Sequence, residues 1–295
     1  MHLTHDKRLH SLLETLHRQP IPQDWILSDP IALPRRYRSP LDIEVVGLLS
    51  AMMAYGRVHL FKAVVEKILA LCGVSPYEYV ANFDPVKERS RFQGIYYRFN
   101  RAEDFLSLLQ SFGRVLRQYG SLGTLFAALY REDEADIGPT LSRFVAVLSE
   151  NCPRPLTRGL AYLLPSPTTG SACKRFNLFL RWMIRPKDGV DFGLWSAIPA
   201  AKLIMPLDTH IVRISGYLGL TSRKSPDWKM ATEITMSLKK FDPIDPLKFD
   251  FPLCHLGISG ACPEKEDREK CSPCLLKYVC LRGMRWDTRP PPFVV

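Results

Sequence analysis

Apolar residues recur at helical spacing along much of this 295-residue chain, and the strict alternation of a half-buried strand is nearly absent. Proline is frequent, 24 residues in all. Proline lacks the amide donor and clashes with the preceding helical turn, so it breaks helices into short pieces. The pattern predicts an all-α fold of many short helices. The first 19 residues place Leu9, Leu12, Leu13 and Leu16 on one helical face. Residues 20–40 carry five Pro and cannot form one regular element. From Leu41 the helical period returns through Val45, Val46, Leu48, Leu49, Met52 and Met53. Further helices are predicted over 59–72, 76–82, 102–119, 122–130 and 139–150, with Asp136 as a cap.

Composition removes several classes. Apolar residues at 46% and charged residues at 24% exclude a disordered or fibrous chain. The polar start lacks the apolar core of a secretory signal. The most apolar stretch, Val45 to Tyr55, is too short for the roughly 20 residues that a bilayer requires. A cytoplasmic protein without a membrane partner is expected.

Net charge is +10, which favours a polyanionic partner such as nucleic acid. Residues 153–240 hold 14 Lys/Arg against 5 Asp/Glu, so nearly all of the excess sits in one segment. Such concentration favours a phosphate-binding face over the plainer reading, a solvated basic face.

Four of the eight Cys fall at the end of the chain, as Cys262, Cys271, Cys274 and Cys280, in the pattern C-x8-C-x2-C-x5-C. Four thiolates at this density point to one metal centre. A 4Fe-4S cluster and a structural zinc ion both fit. Zinc sites commonly show two CxxC pairs, and here only Cys271 and Cys274 form one, which favours iron–sulfur. Cys72, Cys152, Cys173 and Cys254 sit in apolar surroundings and read as buried small hydrophobes.

Two further segments carry polar chemistry. In the first, the turn around Gly170 and Ser171 leads into a helix that opens with Lys174 and Arg175. Free amides at a helix start can hold a phosphate. Cations there oppose the helix dipole, so their presence needs a reason, and an anionic partner supplies one. An ordinary loop–helix junction is the plainer reading. In the second segment, Asp208 or Thr209 precedes a helix bearing Ile211, Ile214 and Leu218, so Asp208 reads as a cap or as a catalyst.

In order, these segments resemble the helix–hairpin–helix DNA glycosylases of the endonuclease III type. In that family L-P-G-V-G precedes a helix K-T-A-N-x-x-L, followed by V-D-T-H-x-x-R-x-x-x-x-L-G and a four-Cys loop. Here Lys174, Asn177 and Leu180 match the first helix. Asp208-Thr209-His210, Arg213 and Leu218-Gly219 match the second segment. Leu48-Leu49-Ser50-Ala51 echoes the family's first barrel helix. The chain also looks like a branch near these glycosylases that carries only the label DUF2400.

The resemblance implies a two-lobed helix–hairpin–helix fold with a C-terminal cluster loop. A helical barrel domain over 40–186 is expected, with 1–39 and 187–295 forming a second lobe that carries the loop 262–280. It implies a monomeric, nucleoid-associated base-excision repair enzyme, a DNA glycosylase with AP lyase activity on duplex DNA bearing a damaged or abasic nucleotide. Lys174 would be the amine nucleophile and Asp208 the carboxylate that stabilises charge on the sugar. Gly170, Ser171, Arg175, Arg181, His210 and Arg213 would contact DNA. Cys262, Cys271, Cys274 and Cys280 would hold the cluster. A non-catalytic nucleic-acid-binding relative is the alternative. Several features depart from the family: Pro167–Ser171 replaces the hairpin, Pro186 to Met205 is an extra stretch, and Met52 stands where many members carry Gln. The loop 263–270 holds four acids and three bases where a DNA-touching loop should be basic.

Overall fold

The apolar run at 45–53 falls within a buried helix around which four others gather. In the computed structural model, which describes residues 4–265 and 267–283, the helices run in the following order. They are α1 His5–His17, α2 Gln23–Ser28, α3 Pro40–Met53, α4 Val58–Cys72, α5 Pro76–Ala81, α6 Pro85–Glu88, α7 Ala102–Tyr119 and α8 Leu122–Leu129. After these come α9 Gly138–Glu150, α10 Arg158–Leu163, α11 Lys174–Ile184, α12 Thr209–Tyr217, α13 Trp228–Lys239, α14 Asp250–Ile258 and α15 Arg268–Cys271. Among the described residues there is no strand, only isolated bridges at Tyr97–Asn100 and Ser171–Asp227. None of the described helices is long and apolar enough to cross a membrane. The first three residues of the predicted 1–19 helix, Glu266 of the predicted cluster loop and residues 284–295 of the predicted second lobe lie outside the described residues.

Helix α3 is buried on every side from Asp42 to Met53. Such a helix must be apolar all round, and any charge on it needs partners. Both of its acids have them. Asp42 Oδ1 accepts the Ser75 hydroxyl at 2.9 Å and the Tyr77 amide at 2.8 Å. Glu44 accepts the first amides of α8, Leu122 at 2.9 Å and Gly123 at 3.1 Å. Helices α4, α5, α8 and α11 pack around α3. Where α11 crosses, Gly47 admits the side chains of Met183 and Phe179, since a Cβ there would stand 3.1 Å from Met183 Cε.

The helix starts follow local chemistry. Ser121, Thr157, Asp208 and Asp227 each accept an amide from the first turn of α8, α10, α12 and α13. Asp136 Oδ1 accepts the Gly138 amide at 2.7 Å at the start of α9. Helices α13 and α14 are not among the helices predicted above, although Met230, Ile234 and Leu238 of α13 recur at helical spacing. The extra stretch 186–205 is mostly without helix, yet it is knitted to α11. The Phe192 amide donates to Trp182 O at 2.8 Å and the Trp195 amide to Met183 O at 2.9 Å. At the other end of the chain, α1 packs on the 3₁₀ turn Pro246–Phe249, which leads directly into α14.

Candidate functional site

A cleft of about 1770 Å³ opens between α4, α10, α11, α12 and α14, with the residues just past the end of α3 at its edge. Its walls bring together residues far apart in sequence, including Asp29, Tyr55, Tyr162, Lys174, Asp208, Asp250, Cys254 and His255.

Lys174 opens α11. The turn before it is tight: Pro167–Thr169 form a 3₁₀ turn, and Gly170 closes it at φ 79°. The Gly170 amide donates to Pro167 O at 2.9 Å, and its carbonyl accepts the Trp228 amide at 3.0 Å. Ser171 Oγ then accepts the Cys173 amide at 3.2 Å. Cys173 itself is left-handed at φ 45°, a conformation that costs a non-glycine residue free energy. Half-buried Lys174 reaches from this start to Ala54 O at 3.4 Å, and Arg175 Nη1 donates to Met52 O at 2.9 Å. Both acceptors belong to the C-terminal end of α3, where carbonyls lack helical partners and cations are favourable. The end of α3 thus gives both cations at the start of α11 carbonyl acceptors. An anionic partner is not needed to account for them.

Asp208 caps α12. Its Oδ1 accepts the Ile211 amide at 2.6 Å, and its Oδ2 accepts the Cys254 thiol at 2.9 Å. The second contact depends on the close pairing of α12 with α14. Gly257 permits it, because a Cβ there would come within 2.6 Å of the His210 ring. His210 also lines the cleft, with Nδ1 3.4 Å from Arg213 Nη2.

Among the ionisable groups of the cleft that the sequence did not single out are Asp29, Asp250 and His255. Asp29 enters from the end of α2, with Oδ1 accepting the Ile31 amide at 2.8 Å. Burial raises its pKa against the opposing influence of that amide, Arg181, His255 and Lys174. Asp250 sits at the start of α14, where burial pushes it up to about 6 despite Arg181. His255 is buried, and burial lowers its pKa. Its ring stacks on Trp25 at 4.7 Å, and its Nδ1 donates to Phe251 O at 3.0 Å. The spacing of Asp250 and Cys254, four apart on one helical face, was the available signal.

Arg175 and Arg181, both expected to contact DNA, line the cleft and are held there by protein groups. Arg175 is 7% exposed. It bonds Met52 O and Tyr162 O, with its guanidinium 4.4 Å from the Tyr162 ring centre and 5.3 Å from that of Tyr55. Arg181 is 2% exposed and pairs with Asp191 at 3.2 Å and with Asp250. Asp191 comes from the extra stretch and Asp250 from α14, so Arg181 ties both to α11. Arg213 Nη2 donates to Cys262 O at 2.7 Å and fastens the cysteine loop to α12.

That loop folds back on α12. The Leu281 amide donates to Tyr217 O at 2.8 Å, and the Arg282 guanidinium lies 4.2 Å from the centre of the Tyr217 ring. None of the four cysteines is in a disulfide. Burial pushes Cys262 up to about 11, and the nearby Cys274, Cys280 and Cys271 add to the rise. The thiols are thus within electrostatic reach of one another. Among the described residues, however, no three His, Cys, Asp or Glu side chains converge closely enough to hold a metal ion.

Residues 29–259 match the family described as "Protein of unknown function (DUF2400)". The chain belongs to the DUF2400 family. No curated protein and no solved structure matches it. The DUF2400 match begins at Asp29 and ends past Ile258, so it takes in every cleft residue named above. It stops before Cys262, which leaves the four cysteines beyond the matched stretch of this DUF2400 chain.

Proposed function

We propose that this DUF2400 protein is a DNA base-excision repair glycosylase with AP lyase activity, built on a two-lobed helix–hairpin–helix fold. The observation that carries the reading is that Lys174 and Asp208, 34 positions apart, line one cleft.

A base inside a duplex is out of reach, so the damaged nucleotide is extruded into the cleft. Lys174 Nζ attacks C1′ of the sugar. The bond from C1′ to the base breaks, and its electron pair leaves with the base, which takes up a proton released by the amine. Ring opening turns the new C1′–N bond into a protonated Schiff base, and loss of a C2′ proton then expels the 3′ phosphate. The Asp208 carboxylate stabilises positive charge as it develops on the sugar and relays protons. Gly170, Ser171, His210 and Arg213 flank the DNA, while Arg175 and Arg181 act only by holding the walls. The enzyme works as a monomer on cytoplasmic, nucleoid-associated duplex DNA.

Cys262, Cys271, Cys274 and Cys280 would be the donors of a 4Fe-4S cluster, with zinc as the alternative, and would have to draw closer together to hold either. When bound, the group would brace the loop against α12. Iron and sulfide content after anaerobic purification decides between the two, and stoichiometric zinc without iron rejects the cluster.

Borohydride trapping on duplex DNA with one abasic site tests the chemistry. A covalent adduct that Lys174→Gln abolishes while DNA binding persists is the expected result. Binding without any adduct favours the second reading, a non-catalytic nucleic-acid-binding relative. One observation favours that reading: the Gly170 amide is engaged inside its own turn and is not free for a phosphate.

A further inference from the structure

We infer that Cys254 is a positioning residue for Asp208, fixing the carboxylate that faces the cleft; the functional arm of this inference rests on the glycosylase reading. Each oxygen of Asp208 has its own donor. Oδ1 takes the Ile211 amide at 2.6 Å, and Oδ2 takes the Cys254 thiol at 2.9 Å. The amide alone fixes one oxygen and leaves the carboxylate plane free to turn about that contact. The thiol, approaching from α14, removes this freedom.

The thiol is suited to the task. Burial, with the Asp208 and Asp250 carboxylates nearby, pushes Cys254 well above the ordinary thiol value, so it stays S–H and donates. S–H is a weak donor, so it orients the carboxylate while withdrawing little of its charge. Cys254 is only partly buried and lines the cleft beside the carboxylate it holds. Its position is set by the α12–α14 pairing that Gly257 allows. Preorganisation of this kind gains rate because a charged group that must reorient during the reaction stabilises less of the transition state.

The test compares Cys254→Ala, Cys254→Ser and Asp208→Asn in the full chain. Asparagine caps a helix as well as aspartate does, so Asp208→Asn keeps α12 intact while removing the charge. The S–H stretch of Cys254, identified in the Raman spectrum by its loss in Cys254→Ala, should move to higher frequency in Asp208→Asn. With abasic duplex DNA, Cys254→Ala should slow borohydride trapping about three- to tenfold, the size of one lost hydrogen bond from a weak donor. Cys254→Ser, which keeps a donor, should restore most of the rate, and both variants should melt close to the wild type. An unmoved S–H band, or a wild-type trapping rate in Cys254→Ala, overturns the inference. Absence of trapping in the wild type sinks the glycosylase reading alone, and the S–H band then still decides whether the thiol holds the carboxylate.

Discussion

The indole N–H of Trp195 donates to Oε1 of Glu44 at 2.7 Å, joining residues 151 positions apart. The bond pins the stretch that follows α11 to the most buried helix, and the same carboxylate caps α8. Glu44→Ala leaves three donors without an acceptor, and should cost about 2–4 kcal/mol of folding stability. Trp195→Phe keeps the ring contacts with Phe126 and Phe179, and should cost closer to about 1 kcal/mol. Urea midpoints of the two variants would rank them, and equal losses would refute the shared-acceptor account.

Arg181 is a structural cation. Arg181→Ala strands the buried Asp191 and Asp250 carboxylates, and should destabilise the fold by about 3–5 kcal/mol. Denaturant unfolding measures this directly. A variant of native stability that merely binds DNA less well would return Arg181 to the phosphate-contacting role.

Asp250 should leave a signature in the pH dependence of stability. Its folded pKa of about 6 lies above its unfolded value, so between those values the native state binds more protons than the unfolded state. Its contribution is therefore fully present below about pH 4 and is lost as pH rises through about 6. Asp250→Asn should flatten this part of the curve. Thermal melts from pH 4 to 7 on both proteins check the sign, and parallel curves would count against it.

DNA affinity should fall as salt rises, because bound phosphates release counterions. Arg158 stands exposed on α10, which also supplies Tyr162 to the cleft, and Lys224 stands exposed two residues before the cleft residue Pro226. Replacing either by Ala should lower the slope of log affinity against log salt by about 1. Fluorescence anisotropy on a duplex at several salt concentrations gives the slopes, and unchanged slopes would place the DNA elsewhere.

Local physics made much of the helical order legible from sequence alone. The apolar period gave the helices at 58–72, 76–81, 102–119, 122–129 and 138–150 within a residue or so, because each buries one stripe against its neighbours. Asp208 was readable as a helix cap because capping is decided within three residues. The partners of its second oxygen, of Arg181 and of Glu44 were not readable. Cys254, Asp250 and Trp195 arrive from 46, 69 and 151 positions away, and nothing in a local pattern encodes a contact that only chain folding creates. The cations of α11 show the difference most plainly. Sequence exposed the conflict between Lys174 and Arg175 and the dipole of their own helix, but only the packing of α11 on α3 supplied the carbonyls that resolve it.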